Sequence, residues 1–266
     1  MGAGTALSDT HAVTASATAL EVANLRVRYG RGGAEALRGV DLKVPPGQTV
    51  ALIGTNGAGK STLLRCLVRL IEPTQGAVVI HGTDVTALSR GRLRAVRRDV
   101  GFVFQRFHLI PRLSAFHNVV HGAMGHRGTR CAWTLTSPRE VRADAMTSLE
   151  RVGLSAFADR RVDTLSGGQQ QRVAIARMLM QRPSLILADE PVASLDPASA
   201  QAVMELMRSI AAERDVTVIM ALHQIDLALR YADRVVGLRN GVVEFDRPAA
   251  ECDAAQLNPV FAEAVS

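Results

Sequence analysis

Eight consecutive residues, Gly54-Thr55-Asn56-Gly57-Ala58-Gly59-Lys60-Ser61, place three glycines, an ammonium and a hydroxyl in the pattern G-x-x-x-x-G-K-[ST]. Glycines let main-chain N–H groups converge on a phosphate. The lysine neutralises phosphate oxygens, and the serine hydroxyl reaches a divalent cation. A second group lies in Leu185-Ile186-Leu187-Ala188-Asp189-Glu190, where four apolar residues lead into two adjacent acids. Neighbouring side chains at a strand end diverge, so Asp189 can hold a cation shell while Glu190 polarises an attacking water. Taken alone, such a pair is as readily a helix N-cap and its neighbour. A third group, Leu165-Ser166-Gly167-Gly168-Gln169-Gln170-Gln171-Arg172, combines a serine cap with two glycines ahead of a predicted helix, which is physically a second anion site.

Each group needs an element to position it. Thr49 to Ile53 is a short apolar run before the glycine loop, and Leu63, Leu64, Leu67, Val68 and Ile71 recur behind it at helical spacing, giving strand, loop and helix. Leu185–Ala188 and Val216–Leu222 are apolar runs of the kind found in parallel strands covered on both faces. Asp196-Pro197 reads as an N-cap with proline at the first helical position, and Val203, Leu206, Met207 and Ile210 mark that helix's buried stripe. Leu20–Tyr29 and Ala36–Val44 alternate like half-buried antiparallel strands, with a turn at Pro45-Pro46-Gly47. Val78–Ile80 and Val100–Phe104 are further strands. From Phe107 to Met180 the pattern is helical, with Val141, Ala145, Leu149 and Val152 on one face and a second helix beginning at Ser166. Val235–Leu238 and Val242–Phe245, turned at Asn240-Gly241, form a closing hairpin.

Composition narrows the function classes. The 266 residues are 47% hydrophobic and 21% charged, which excludes a disordered or collagen-like chain. Aromatics at 4% argue against base stacking as the main activity. The net charge of +6 permits an anionic partner without choosing one. Lys60 is one of only two lysines, the other being Lys43. Cys66, Cys131 and Cys252 fit no metal or disulfide pattern and point to a reducing compartment. No signal peptide and no run of about 20 apolar residues is present, so another chain must supply any membrane span. Arg90, Arg92, Arg94, Arg97 and Arg98 lie on a predicted helix as a solvated face, or as a run toward phosphate or lipid headgroups. His117 and His121, with His126 nearby, either share a helix face as a metal pair or pack within the helical region.

In order and spacing, from about Leu20 to Asp246, these motifs resemble the ATP-binding cassettes of ABC transporters. The resemblance implies an α/β fold: a RecA-like P-loop NTPase core with an antiparallel β subdomain and an α-helical subdomain inserted at about 106–181. Residues 1–18 are then a flexible tail, 19–248 the ATPase domain and 249–266 a short C-terminal helix or tail. Two ATP molecules with Mg2+ lie between two copies of the chain. Gly54, Thr55, Asn56, Gly57, Ala58, Gly59, Lys60, Ser61 and Thr62 bind the phosphates, and Tyr29 stacks on adenine. Ser61, Gln105 and Asp189 hold Mg2+. Glu190, Gln105 and His223 serve hydrolysis, as base, coupling-loop glutamine and switch histidine. Ser166, Gly167, Gly168, Gln169 and Asp196 face the ATP of the opposite protomer.

Within that family the likeness runs to the ATP-binding subunits of phosphonate importers. It rests on Phe104-Gln105-Arg106-Phe107-His108-Leu109-Ile110-Pro111-Arg112-Leu113-Ser114, the triple glutamine 169–171, Ala188–Pro197, and Leu222-His223-Gln224-Ile225-Asp226. Arg106 and His108 depart from the glutamine and asparagine common there. Implied partners are a second copy, two transmembrane permease subunits and a periplasmic or lipid-anchored substrate-binding protein acting through them, with no nucleic acid. The implied location is peripheral, on the cytoplasmic face of the inner membrane. Phosphite or another small oxyanion is an alternative cargo. An accessory role in phosphonate breakdown, or a soluble cassette acting on DNA or ribosomes, is the alternative activity. Phe107, Leu109, Ile110, Leu113 and Trp133 either dock the membrane subunit or form the helical subdomain's own core.

Overall fold

The computed structural model describes residues 18–30, 32–132, 137–255 and 257. The expected tail over residues 1–17, Trp133 and residues 258–266 lie outside them. The chain runs β1 (Leu20–Arg28), β2 (Glu35–Val44), β3 (Thr49–Ile53), α1 (Lys60–Leu67), β4 (Gln75–Ile80), β5 (Thr83–Asp84), α2 (Arg90–Asp99) and β6 (Val100–Val103). Then follow α3 (Ala115–Val120), α4 (Met124–Arg127), α5 (Arg139–Arg151), α6 (Gly167–Leu179), β7 (Leu185–Asp189), α7 (Pro197–Arg214), β8 (Thr217–Ala221), α8 (Ile225–Tyr231), β9 (Arg234–Arg239) and β10 (Val242–Pro248).

Two sheets result. The first, in order β2-β1-β4-β5, is antiparallel, with Leu20 opposite Val44 on one side and Ile80 on the other. The second runs β10-β9-β3-β8-β7-β6, parallel throughout except for the β9–β10 hairpin. Asn240 and Gly241 both take positive φ, 50° and 79°, the backbone that a two-residue hairpin turn requires.

Strands β3, β7 and β8 are buried along their whole length because both faces of the sheet are covered. Alternate residues serve different cores. Ala51, Ile53, Ile186, Ala188, Val218 and Met220 pack toward the helices. Val50, Leu52, Leu185, Leu187, Ile219 and Ala221 pack toward α1 and the antiparallel sheet. Each such Leu or Ile buried stabilises the fold by about 1.5–3 kcal/mol relative to exposure.

The parallel register has a functional consequence. Leu52 pairs with Ala221, Ala221 with Asp189, and Ala188 with Val103, so β3, β8, β7 and β6 end side by side. The segments that follow them, including the glycine loop, His223, Glu190 and Gln105, therefore emerge at one carboxyl edge, where parallel α/β sheets bind ligands.

Helices α3, α5 and α6 pack on one another as a helical lobe whose core, including the expected stripe of Val141, Ala145, Leu149 and Val152, is continuous with that face of the parallel sheet. Between β6 and α3 the chain is loop, not helix. Asn118, 1% exposed, secures it by accepting from the Ile110 amide at 2.7 Å and donating to the carbonyls of Ile110 and Ser114. On α2 the solvated-face reading holds for Arg90, Arg92 and Arg94 but not for Arg97. Its guanidinium donates to the carbonyls of Val68 and Arg69 at 2.8 and 2.7 Å, satisfying acceptors at the C-terminal end of α1, and burial lowers its pKa.

Candidate nucleotide and hydrolysis site

The glycine loop spans the gap from β3 to α1. Gly54 has no room for a side chain, since a Cβ there would lie 2.2 Å from the Leu238 carbonyl oxygen on β9. At Gly57, with φ +78°, no atom lies within 4 Å of a built Cβ, so the turn bows into open space as a cradle for an incoming group. Gly59 (φ 106°) ends the turn as the N-cap of α1. Lys60 is buried and folds back over the loop, donating to the carbonyls of Gly54 at 2.7 Å and Thr55 at 3.2 Å. The loop holds its lysine inward, at the positive end of α1.

Ser61, on the first turn of α1, donates to Asp189 Oδ1 at 2.6 Å. Arg65, one turn further along the same helix, donates to Asp189 Oδ2 at 2.9 Å. Asp189 itself is only 1% exposed. Its neighbour Glu190 turns away, as adjacent residues at a strand end must, and takes φ 51°, a left-handed conformation uncommon for a residue with a side chain. Glu190 Oε2 accepts from Gln105 Nε2 at 2.7 Å and Oε1 from His223 Nε2 at 2.5 Å. These three side chains and Asn56 border a cleft of 470 Å³, a volume suited to a phosphate-sized group and its surrounding solvent. Tyr29 is 51% exposed beside this edge, its hydroxyl 3.1 Å from Thr62 Oγ1.

The Ser166 turn is built separately. Ser166 accepts from the Gln169 amide at 3.3 Å, and Gln169 Oε1 accepts from the Ser166 amide at 3.0 Å, a reciprocal capping box at the start of α6. Its glycines adjoin α7 and the turn before it. A Cβ on Gly167 would stand 3.6 Å from Leu195 Cδ2, and one on Gly168 2.9 Å from Ser199 Oγ. Asp196 caps α7 by accepting from the Ser199 amide at 3.0 Å, and the bonds to Ser199 hold its carboxyl below the usual range. Within the chain the hydrogen bonds gather the expected residues in two sets, Ser61 with the acids, Gln105 and His223, and the capping box beside α7.

Three contacts were not foreseen: Arg65 on Asp189, Ser199 against Gly168, and Arg177. The last, on α6, donates to the carbonyls of Phe107 at 2.8 Å and His108 at 2.5 Å, just past Gln105. Phe107 and His108 both have positive φ, 27° and 48°. Burial lowers the pKa of Arg177. Of the histidines raised as a metal pair, His117 Nδ1 lies 2.7 Å from Ser114 Oγ in the cap of α3. Among the described residues no group of three or more His, Cys, Asp or Glu could hold a metal ion.

The profile of the ABC transporter family matches residues 37–193, more than half of the chain. The chain belongs to the ABC transporter family. The Phosphonates import ATP-binding protein PhnC of Nocardia farcinica is 51% identical to this cassette over 88% of the chain and 87% of its own length. The Phosphate-import ATP-binding protein PhnC of Mycolicibacterium smegmatis is 54% identical over 82% and 83%. Among solved structures, the ATP-binding cassette MJ0796, in a dimeric post-hydrolysis state bound to ADP and Pi, superposes with a TM-score of 0.77 at 36% identity. It covers 86% of this chain and 98% of its own. The two-sheet core with its helical lobe is thus the ABC nucleotide-binding fold that the motifs implied.

Proposed function

We propose that this cassette is the ATP-hydrolysing subunit of an importer for phosphonates, closing as a homodimer on two ATP molecules and opening on hydrolysis. The observation that carries the chemistry is Glu190, held at the carboxyl edge by Gln105 and His223 and next in the chain to Asp189, which Ser61 meets. In this reading the loop 54–62 wraps the phosphates, and Lys60 exchanges its carbonyl partners for phosphate oxygens. Tyr29 covers the adenine.

A hydroxyl, a carboxylate and a carboxamide oxygen are hard donors, and Ser61 with Asp189 at 2.6 Å, plus Gln105, fit a resident Mg2+. When bound, that ion neutralises charge on the β- and γ-phosphates. Glu190 takes the proton of the attacking water, and Gln105 holds its carboxylate in position. His223 turns its N–H to the γ-phosphate as the cleft fills. Ser166, Gly167, Gly168, Gln169 and Asp196 complete the partner's site, with the N-terminus of α6 directed at the phosphate.

Cargo rests on relatives named for phosphonates, while the phosphate-import relative supports phosphate as the second reading. Among the described residues no helix is long and apolar enough to cross a membrane. Two permease subunits would therefore carry the cargo, delivered by a substrate-binding protein, with the cassette peripheral on the cytoplasmic face. A groove of 350 Å³ lined by Leu70, Phe102, Phe104 and Met178, with Arg97, His121 and Arg177 also in its wall, suits a permease segment, and Ile110 is exposed as well. Leu109 and Phe116 pack on the helical core, so of the apolar cluster only the exposed part is offered for docking.

The test is deletion of the chain followed by growth on phosphonate or phosphate as sole phosphorus source. Loss on phosphonate alone supports the first reading, and loss on phosphate alone the second. Growth unchanged on both refutes an import role.

A further inference from the structure

Asp189 presents two oxygens and both are engaged. One meets Ser61 at 2.6 Å and the other meets Arg65 at 2.9 Å. Ser61 and Arg65 are four residues apart, so both side chains rise from one face of α1 to the same carboxylate. The two partners of that carboxylate differ in kind. Ser61 is neutral and belongs to the phosphate loop. Arg65 carries a full charge, and its side chain is 43% exposed while that of Asp189 is 1% exposed. A buried carboxylate without a counter-charge is costly, and a guanidinium supplies that counter-charge with a charge-assisted hydrogen bond. Arg65 is half in solvent, so its own charge stays hydrated if another cation takes over the carboxylate. It also borders an open pocket together with Phe104, Gln105, Arg106 and His108.

We propose that Arg65 is a positioning residue that occupies Asp189 in place of the metal, keeping its charge paired while the site is empty and yielding when Mg2+ arrives with nucleotide. This rests on the reading of Asp189 as a Mg2+ carboxylate. A monovalent guanidinium and a divalent ion repel across one carboxylate, so each weakens the other's hold by the same factor. Arg65 therefore sets how steeply nucleotide binding depends on magnesium. A neutral side chain at position 65 removes the competition and leaves the empty site with an unpaired buried charge. An Arg65 that serves only to pack α1 would change nucleotide affinity equally with and without the metal.

The experiment measures ATP affinity by calorimetry in the hydrolysis-dead Glu190→Gln protein, once with Mg2+ and once with EDTA, and takes the ratio of the two. Adding Arg65→Met should raise that ratio about fivefold, the size of a modest ion pair. Arg65→Lys, which keeps the charge, should leave it within about twofold. In thermal melts, Arg65→Met should lower the midpoint of the empty protein and enlarge the gain on adding Mg2+ with ATP. Arg65→Gln provides the same readings if the Met variant does not fold. A ratio unchanged or lowered in the neutral variants, or equal in the Lys and Met variants, overturns the proposal. Asp189→Asn separates the two layers. If it abolishes the magnesium dependence while Arg65→Met has no effect, only the Arg65 role fails. If it leaves the dependence intact, the reading of Asp189 fails and the proposal with it.

Discussion

Gly168 is the second residue of α6, and a methyl placed there would lie 2.9 Å from Ser199 Oγ and 3.1 Å from Ser199 Cβ. Ordinary carbon contacts fall at about 3.5–4.0 Å. The hydroxyl can rotate away, but the Cβ is fixed by α7, whose first turn is pinned by the Ser199 amide on Asp196. Gly168→Ala must therefore push the start of α6 off α7. Overpacking of this kind costs about 1–3 kcal/mol. Alanine's better helix propensity returns about 1 kcal/mol, leaving a net loss of about 0–2 kcal/mol. The larger effect should be on hydrolysis, because the displaced turn carries Ser166. ATPase activity at saturating ATP should fall about tenfold or more, equivalent to about 1.4 kcal/mol or more in the barrier. Binding of ATP to the phosphate loop should be unaffected. Ser199→Gly removes both clashing atoms and keeps the capping amide. The double variant should recover most of the activity, and the denaturation cycle over all four proteins should show a favourable coupling of about 1 kcal/mol or more. Full activity in Gly168→Ala, or no recovery on adding Ser199→Gly, would refute the reasoning.

Other outcomes follow from single residues. Glu190 sits at φ 51°, so Glu190→Gly should be more stable to denaturant than Glu190→Ala by about 1 kcal/mol, and equal stabilities would remove backbone strain from the account. Burial, and then the nearby Glu72, push the Cys66 thiol from 9.0 up to about 12. The unfolded thiol ionises first, so the stabilisation is complete below about pH 9 and is lost as pH rises toward about 12. A pH series of melts should show that decline weakened in Cys66→Ala. Arg177→Met releases the carbonyls of Phe107 and His108, and hydrogen exchange over residues 105–109 should accelerate while ATP affinity holds. Unchanged exchange would mean that the loop is held by other contacts.

The parts of this molecule that could be read from its sequence are those written in neighbouring residues. Continuous apolar runs gave the buried strands β3, β7 and β8, because strands covered on both faces must be apolar throughout. Ser166 marked the start of α6, since a serine N-cap is a local device, and the structure adds Gln169 as its capping-box partner. Asp196-Pro197 did the same for α7. The contacts that escaped are long-range. Arg65 meets Asp189 across 124 residues, and Arg177 meets Phe107 across 70. No periodicity encodes either. In sequence Arg97 is indistinguishable from its neighbours on a charged face, because composition does not reveal that one guanidinium of five turns in to the carbonyls ending α1. The loop from Phe107 to Leu113 carries apolar residues without regular spacing, and its shape comes from Asn118 and Arg177, outside the segment itself. Arg65 had one legible hint: it lies four residues after Ser61 on a helix and so shares that residue's face.

The central claim is that a nucleotide is enclosed by two copies of the chain, with Lys60 and Glu190 from one and the Ser166 turn from the other. The most direct measurement is the solution mass of the Glu190→Gln protein by light scattering, with and without ATP and Mg2+. The same measurement is repeated with Ser166→Arg added, in protein whose melt confirms that it is folded. The mass should double only when both ATP and Mg2+ are present, and the protein should stay monomeric under all conditions once Ser166 is replaced. A chain that stays monomeric with ATP and Mg2+, or a dimer indifferent to Ser166, would contradict it.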